Sequence, residues 1–173
     1  RHAAPIVNKA LLIVCGGIEA THGIARARAM GLHVVVSDGD ANAPGFALAD
    51  GRILASTYDP EGTAEAVARY GGTVRRLDGV ICMGADVPHT VAAVAQRLGL
   101  RGLAPETARL AMDKLAMKDR LKAHNVPIPW YAPLRDAADL QLAMLERGRD
   151  LVVKPADSRG GRGVQRMNAG LDA

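Results

Sequence analysis

From residue 10 to about residue 100, short apolar runs alternate with longer segments whose apolar positions recur at helical spacing. "ALLIVCGG" (10–17) is an unbroken apolar run closed by glycines, the pattern of a strand buried on both faces. "LHVVVSD" (32–38), "RILAS" (52–56) and "DGVICMG" (78–84) repeat it more weakly. Between them, "GIARARAMG" (23–31) offers Ile24, Ala27 and Ala25 or Met30 for an inner face, with Arg26 and Arg28 outward and Gly31 as a stop. "PEGTAEAVARYGG" (60–72) opens on Pro and Glu and closes on glycines, the polarity expected of a helix. "PHTVAAVAQRLG" (88–99) sets Val91, Val94, Ala95 and Leu98 on one stripe. Strands alternating with helices predict βαβ units and a parallel, doubly wound, Rossmann-like sheet.

The grammar changes near residue 103. "APETARLAMDKLAMKDRLKAHNVPIPWY" reads as helical, with Pro105 suited to a first turn, and it ends in an extended Pro-rich stretch. A helix follows over 136–148, then the strand "LVVKP" (151–155), a glycine loop, and "VQRMN" (164–168) returning as a hairpin strand. A helix followed by an antiparallel pair belongs to an α+β unit. The expected fold class is α/β, with a Rossmann-like domain over 1–104 and the beginning of an α+β domain over 105–173.

Aromatic residues make up 3% of the chain, so the core is built from Ala, Val, Leu, Ile and Met. The net charge of +4 comes from Lys and Arg scattered along helical segments, which suits an anionic ligand such as a nucleotide. DNA or RNA binding would want a concentrated basic patch with stacking aromatics, so no nucleic-acid partner is expected. No apolar run approaches the roughly 20 residues of a membrane span, and no signal peptide is visible. Cys15 and Cys82 stand alone, without Cys-x-x-Cys or Cys/His spacing. They read as buried thiols in a reducing, cytoplasmic compartment.

Two glycine-bearing turns are candidates for chemistry. In "CGGIEATHG" (15–23), Gly16 and Gly17 would let backbone N–H groups approach an anion. The dinucleotide fingerprint fails, however, because Glu19 and His22 stand where glycines are needed. Asp38, at the end of the second strand, fits either a ribose contact or a strand-end cap, and the second is the simpler reading. The loop "SRGGRG" (158–163) fails the P-loop pattern, since it leads into a strand and has no Gly-Lys-Ser/Thr before a helix. Its flexible donors, the guanidiniums of Arg159 and Arg162, and Lys154 on the preceding strand still suit a phosphate. Read alone, an ordinary hairpin turn fits as well. A second lysine, Lys114, opens a helix some forty residues earlier, with Lys118, Arg120 and Lys122 on the same helix. By composition that helix is a solvated charged face.

"MDKLAMKDRLKAHNVPIP" followed by "LVVKPADSRGGRGV" resembles the ATP-grasp superfamily, in the manner of biotin carboxylase, carbamoyl-phosphate synthase and the phosphoribosylglycinamide-modifying members. "VVVSDGDANAPGFALAD" (34–50) looks like the pre-ATP-grasp segment of those enzymes. The resemblance covers essentially all 173 residues. It implies that Lys114 and Lys154 contact ATP phosphates, and that Ser158, Gly160, Gly161 and Gly163 belong to a loop that closes over the triphosphate. It implies a ligase that activates a carboxylate as an acyl phosphate for attack by an amine or other nucleophile, in a carbamoyl-phosphate-synthase-like manner. In the phosphoribosylglycinamide-type relatives the first turn and the end of the fourth strand face the substrate, which matches Gly17, Ile18, Glu19 and Asp86. His22 and His89 lie near those turns and read as surface or capping residues. No catalytic residue is assigned.

The resemblance implies ATP and Mg2+ as cofactors, with the metal-binding acids beyond residue 173 and no metal site in this segment. The expected partners are a small-molecule carboxylate and an amine, and a homodimer is compatible with the chain. The chain reads as the N-terminal portion of a longer protein and is expected not to ligate alone. Two other readings stay open: a non-catalytic nucleotide-binding regulatory module of the same fold, and a Rossmann oxidoreductase using only the first domain.

Overall fold

The computed structural model describes residues 8–148, 150–158 and 160–167. It divides into two compact units, 1–109 and 110–173.

The first unit is a four-stranded parallel sheet in the order β3-β2-β1-β4. Its strands are β1 (Ala10–Val14), β2 (His33–Asp38), β3 (Gly51–Leu54) and β4 (Gly79–Cys82). Helix α1 (Thr21–Ala29) connects β1 to β2 and α2 (Pro60–Thr73) connects β3 to β4, while α3 (Pro88–Arg97) follows β4 and α4 (Pro105–Met112) begins in this unit. The unbroken apolar runs are explained by burial on both faces. Leu12, Val14 and Val35 pack with Ala64 and Val67 of α2 and Val94 of α3, whereas Ile13, Val34 and Val36 pack with Ile24 and Ala27 of α1. Alternation along each strand therefore decides which helix layer a residue meets. Edge strand β3 buries only Ile53 and leaves Leu54 exposed, which is why its run was the shortest. The start of the sheet is tied by Asp78, whose carboxylate accepts from the Ala10 N–H at 2.9 Å and Lys9 Nζ at 3.0 Å.

Three expectations are corrected. Ala25 and Met30 face solvent rather than the core. The inner stripe of the nine-residue α1 is filled by Ile24 and Ala27, and Met30 already caps its C-terminus before Gly31 at φ +81°. Cys15 and Cys82 are half-buried, because both lie where strands give way to turns at the sheet's C-terminal edge. The stretch read as helical from residue 103 is two helices, α4 and α5 (Lys114–Ala123). Asp113 separates them in extended conformation (φ −108°, ψ 106°) and accepts from the N–H groups of Leu115 and Ala116, an N-cap that halts one helix and starts the next.

The second unit holds α5, α6 (Ala137–Arg147) and the antiparallel pair β5 (Leu151–Val153) and β6 (Gln165–Met167). Asp136 caps α6 through the Asp139 N–H at 2.9 Å. Arg166 on β6 pairs with Asp150 beside β5 at 2.9 Å, which holds the Asp150 carboxyl below the usual range.

Candidate functional site

In the second unit, a groove of about 700 Å³ is lined by Lys114, Lys118 and Lys154, with Gly163, the segment 129–134 and the β5 residues completing it. Two of the lysines expected to act together thus lie on one surface. Lys114 opens α5, where its backbone N–H donates to Ala156 O at 3.0 Å. Its Nζ donates to Ser158 O at 2.5 Å and reaches Ala156 O at 3.4 Å. The helix start and the glycine loop are therefore stitched together through this one residue. Asp113 occupies the first-turn donors of α5, so the groove's attraction for an anion comes from the lysines rather than from free helix N–H groups. Lys154 is exposed and makes no hydrogen bond or ion pair among the described residues.

The loop's glycines are required by backbone geometry. Gly160 (φ +60°), Gly161 (φ +74°) and Gly163 (φ +71°) all occupy the left-handed region, which L residues populate poorly. Ser158 Oγ donates to Arg162 O at 3.1 Å across the loop. Of the expected loop residues, Gly163 lines the groove, whereas Ser158, Gly160 and Gly161 do not. Arg159 lies outside the described residues, and Arg162 is exposed.

Sequence reasoning missed the groove's aromatic wall. Trp130 and Tyr131, read only as part of an extended Pro-rich stretch, line the groove. Lys118 Nζ stands 5.1 Å from the Tyr131 ring centroid and Arg147 stands 5.0 Å from that of Trp130, within the reach of a cation–π contact. Tyr131 Oη also donates to Asp119, and this bond pushes the phenol above its usual range. The available signal was the placement of the chain's one Trp and one of its three Tyr inside a single six-residue stretch.

In the first unit, strand order reverses between β1 and β4, the switch point at which open α/β sheets bind ligands outside their strand C-termini. The turn after β1 carries Gly17, Ile18 and Glu19, and the turn after β4 carries Asp86. A short 3-10 turn spans Ile18–Ala20, with Ile18 67% exposed. The two turns touch: a Cβ on Gly84 (φ +104°) would lie 2.9 Å from the Glu19 Cβ. Asp86, two residues further, is exposed, as are Glu19 and His22. The structure thus brings together the two stretches that the resemblance paired.

Asp38 resolves toward the simpler reading. Its two carboxylate oxygens accept from the N–H groups of Gly16 at 2.7 Å and Asp40 at 2.9 Å, shaping the turn. Gly45 of the "NAPG" stretch closes the same turn from the other side, donating to Gly16 O at 2.7 Å. Among the described residues no cluster of His, Cys, Asp or Glu is arranged to hold a metal ion, and no helix is long and apolar enough to cross a membrane.

A doubly wound parallel domain, followed by a capped lysine helix and a lysine-bearing strand with its glycine hairpin, is the fold of the N-terminal portion of the ATP-grasp enzymes. Solved structures show the likeness. Phosphoribosylglycinamide synthetase from Anaerococcus prevotii is 26% identical, with a TM-score of 0.67 over 87% of this chain and 37% of that one. N5-carboxyaminoimidazole synthetase from Staphylococcus aureus, solved with ADP, shares the fold at 19% identity, with a TM-score of 0.73 over 94% of this chain and 42% of that one. An L-amino acid ligase from Bacillus licheniformis shares it at 24% identity, with a TM-score of 0.69 over 95% of this chain and 40% of that one. By sequence, the chain is 27% identical over 165 residues to the uncharacterized protein y4rH of Sinorhizobium fredii, covering 92% of this chain and 34% of that protein. The chain therefore spans about a third to two fifths of the proteins it matches. No protein-family model matches it.

Proposed function

We propose that the chain contributes nucleotide- and substrate-binding parts to an ATP-dependent ligase, one that activates a carboxylate as an acyl phosphate for attack by an amine or other nucleophile. The observation that carries this reading is the shared groove of Lys114 and Lys154 beside a glycine loop that Lys114 itself ties down. Phosphoryl transfer asks a protein mainly to position and neutralise charge, and Lys154 presents an exposed cation, unpaired among the described residues, for that purpose. The glycine loop, with Ser158, Gly160, Gly161 and Gly163, covers the triphosphate and excludes water that would hydrolyse the acyl phosphate. Gly17, Ile18, Glu19 and Asp86 at the switch point contact the substrate. Bound Mg2+ would neutralise phosphate charge during transfer, and the described residues offer no set of ligands to hold it.

The carboxylate and the nucleophile belong to the whole protein, and synthetase or ligase chemistry in the matched structures is what supports the class. The test is titration of the chain with a fluorescent ATP analogue, with Lys154→Ala in parallel. Binding that weakens at least tenfold in the variant is expected. Equal affinity would overturn the assignment of the groove. In the full-length protein, phosphate release screened against carboxylate and amine pairs separates a ligase from a regulatory module that binds nucleotide without turnover.

A further inference from the structure

Cys15 and Cys82 end neighbouring parallel strands at the switch point. Val14 stands opposite Cys82 in the β1–β4 register. Paired strands lie about 4.8 Å apart and rise about 3.3 Å per residue, so Cys15, one residue past Val14, has its Cα about 6 Å from that of Cys82, within a disulfide's span. Regular pleating would send the two side chains to opposite faces. The backbone at Cys15 leaves the strand instead, at φ +80°. Its Sγ lies 3.5 Å from where a Cβ on Gly17 of the following turn would stand. Cys82 Sγ donates to Ala85 O at 3.0 Å on the facing turn. Both thiols are free and half-buried. Glycine would occupy the Cys15 conformation with less strain, and a cysteine kept in such backbone points to a use for its side chain. Burial pushes the Cys82 thiol up, and the nearby Cys15 adds to this, as two thiols in electrostatic reach should.

We propose that Cys15 and Cys82 form a modification site, a thiol pair that a hydroperoxide converts into a disulfide across the ends of β1 and β4. The Cys15 thiol gives up its proton and the thiolate attacks the peroxide; the O–O bond breaks, Cys15 becomes a sulfenic acid, and the departing alkoxide takes up that proton and leaves as alcohol. The Cys82 sulfur then attacks the Cys15 sulfur, the S–O bond breaks, and the hydroxyl departs as water with the Cys82 proton. Two thiols give up two electrons, and the peroxide is reduced to alcohol and water. The bridge fastens the turn carrying Gly17, Ile18 and Glu19 to the turn carrying Gly84 and Asp86, so oxidation stiffens the crevice between them.

The test treats the chain with cumene hydroperoxide, blocks remaining thiols, and reads intact mass, peptide maps and amide exchange. Cys82→Ser and Cys15→Gly are run in parallel, the second chosen because glycine suits the backbone at that position. The wild type should lose two hydrogens as a monomer, yield one linked peptide pair restored by a reductant, and exchange amides at least tenfold more slowly over 15–20 and 82–87. Cys82→Ser should gain oxygen at Cys15, Cys15→Gly should leave Cys82 largely reduced, and neither should form an internal link. Independent oxygen addition at both wild-type cysteines, links only between chains, or unchanged exchange after internal linking would overturn the proposal. None of these readouts involves a nucleotide, so the result stands apart from the ligase reading.

Discussion

Gly45→Ala tests how tightly the first unit's functional turn is built. A Cβ at position 45 would stand 2.7 Å from Ile24 Cδ1 and 2.8 Å from both Cα and O of Gly16. Ile24 is fully buried in the core on the α1 side of the sheet. The Gly16 backbone is held as well, because its N–H donates to Asp38 at 2.7 Å and its carbonyl accepts from Gly45 at 2.7 Å. Overpacking of this kind costs about 1–3 kcal/mol, and stretching the Gly45–Gly16 hydrogen bond adds about 0.5–1.5 kcal/mol. Alanine returns about 0.4–1 kcal/mol by restricting the unfolded chain, leaving a net loss of about 0.5–4 kcal/mol. For a unit of roughly 100 residues that lowers Tm by about 5 °C for each kcal/mol. Gly71, inside α2 with open space around its Cα, is the matched control. Gly71→Ala should stabilise by about 0.5–1 kcal/mol through helix propensity. Urea and thermal unfolding followed by far-UV circular dichroism measure both, since the single Trp lies in the second unit. A Gly45→Ala change smaller than about 0.5 kcal/mol, the range of an ordinary surface substitution, would refute the close-approach argument.

Asp113→Ala removes the cap of α5 and should destabilise the second unit by about 1–2 kcal/mol, read by Trp130 fluorescence in urea. It should also weaken binding of the ATP analogue, because Lys114 is the next residue. In the full-length protein Lys154→Ala should reduce kcat/KM by roughly 2–4 kcal/mol of transition-state stabilisation, and unchanged kinetics would count against the phosphate role. Asp78 has its carboxyl lowered by the Ala10 N–H and by Lys9. A lowered carboxyl stabilises the fold above the ordinary carboxylate range and loses that contribution as pH falls through the folded-state value. The stability gap between wild type and Asp78→Asn should therefore be widest near neutrality and close below about pH 4, as measured by urea midpoints across pH.

Much of the architecture was legible because its signals are local. Unbroken apolar runs around Leu12 and Val35 announced strands covered on both faces, and Asp113 before Lys114 announced a helix start. Errors fell where a residue's fate depends on a neighbour distant in the chain. Met30 has the right composition for an inner face but lies past the end of α1. Trp130 and Tyr131 sit in a stretch without periodicity, and only the folding of β5 and α5 around them makes that stretch a groove wall.

By itself the sequence determined most of the strands and helices, the helix start at Lys114, and that two lysines and a glycine loop occur in an order resembling nucleotide-binding enzymes. Hydrophobic period, capping side chains and glycine placement act within a few residues, so they are readable without a fold. Tertiary structure alone decided that β1 lies between β2 and β4, and with it that the turns at Glu19 and Gly84 meet and that Cys15 neighbours Cys82. Strand adjacency comes from packing helices on both faces of the sheet, through contacts between residues some 65 positions apart that leave no trace in local pattern. The same holds for Lys114, whose grip on Ser158 turns two separate motifs into one surface.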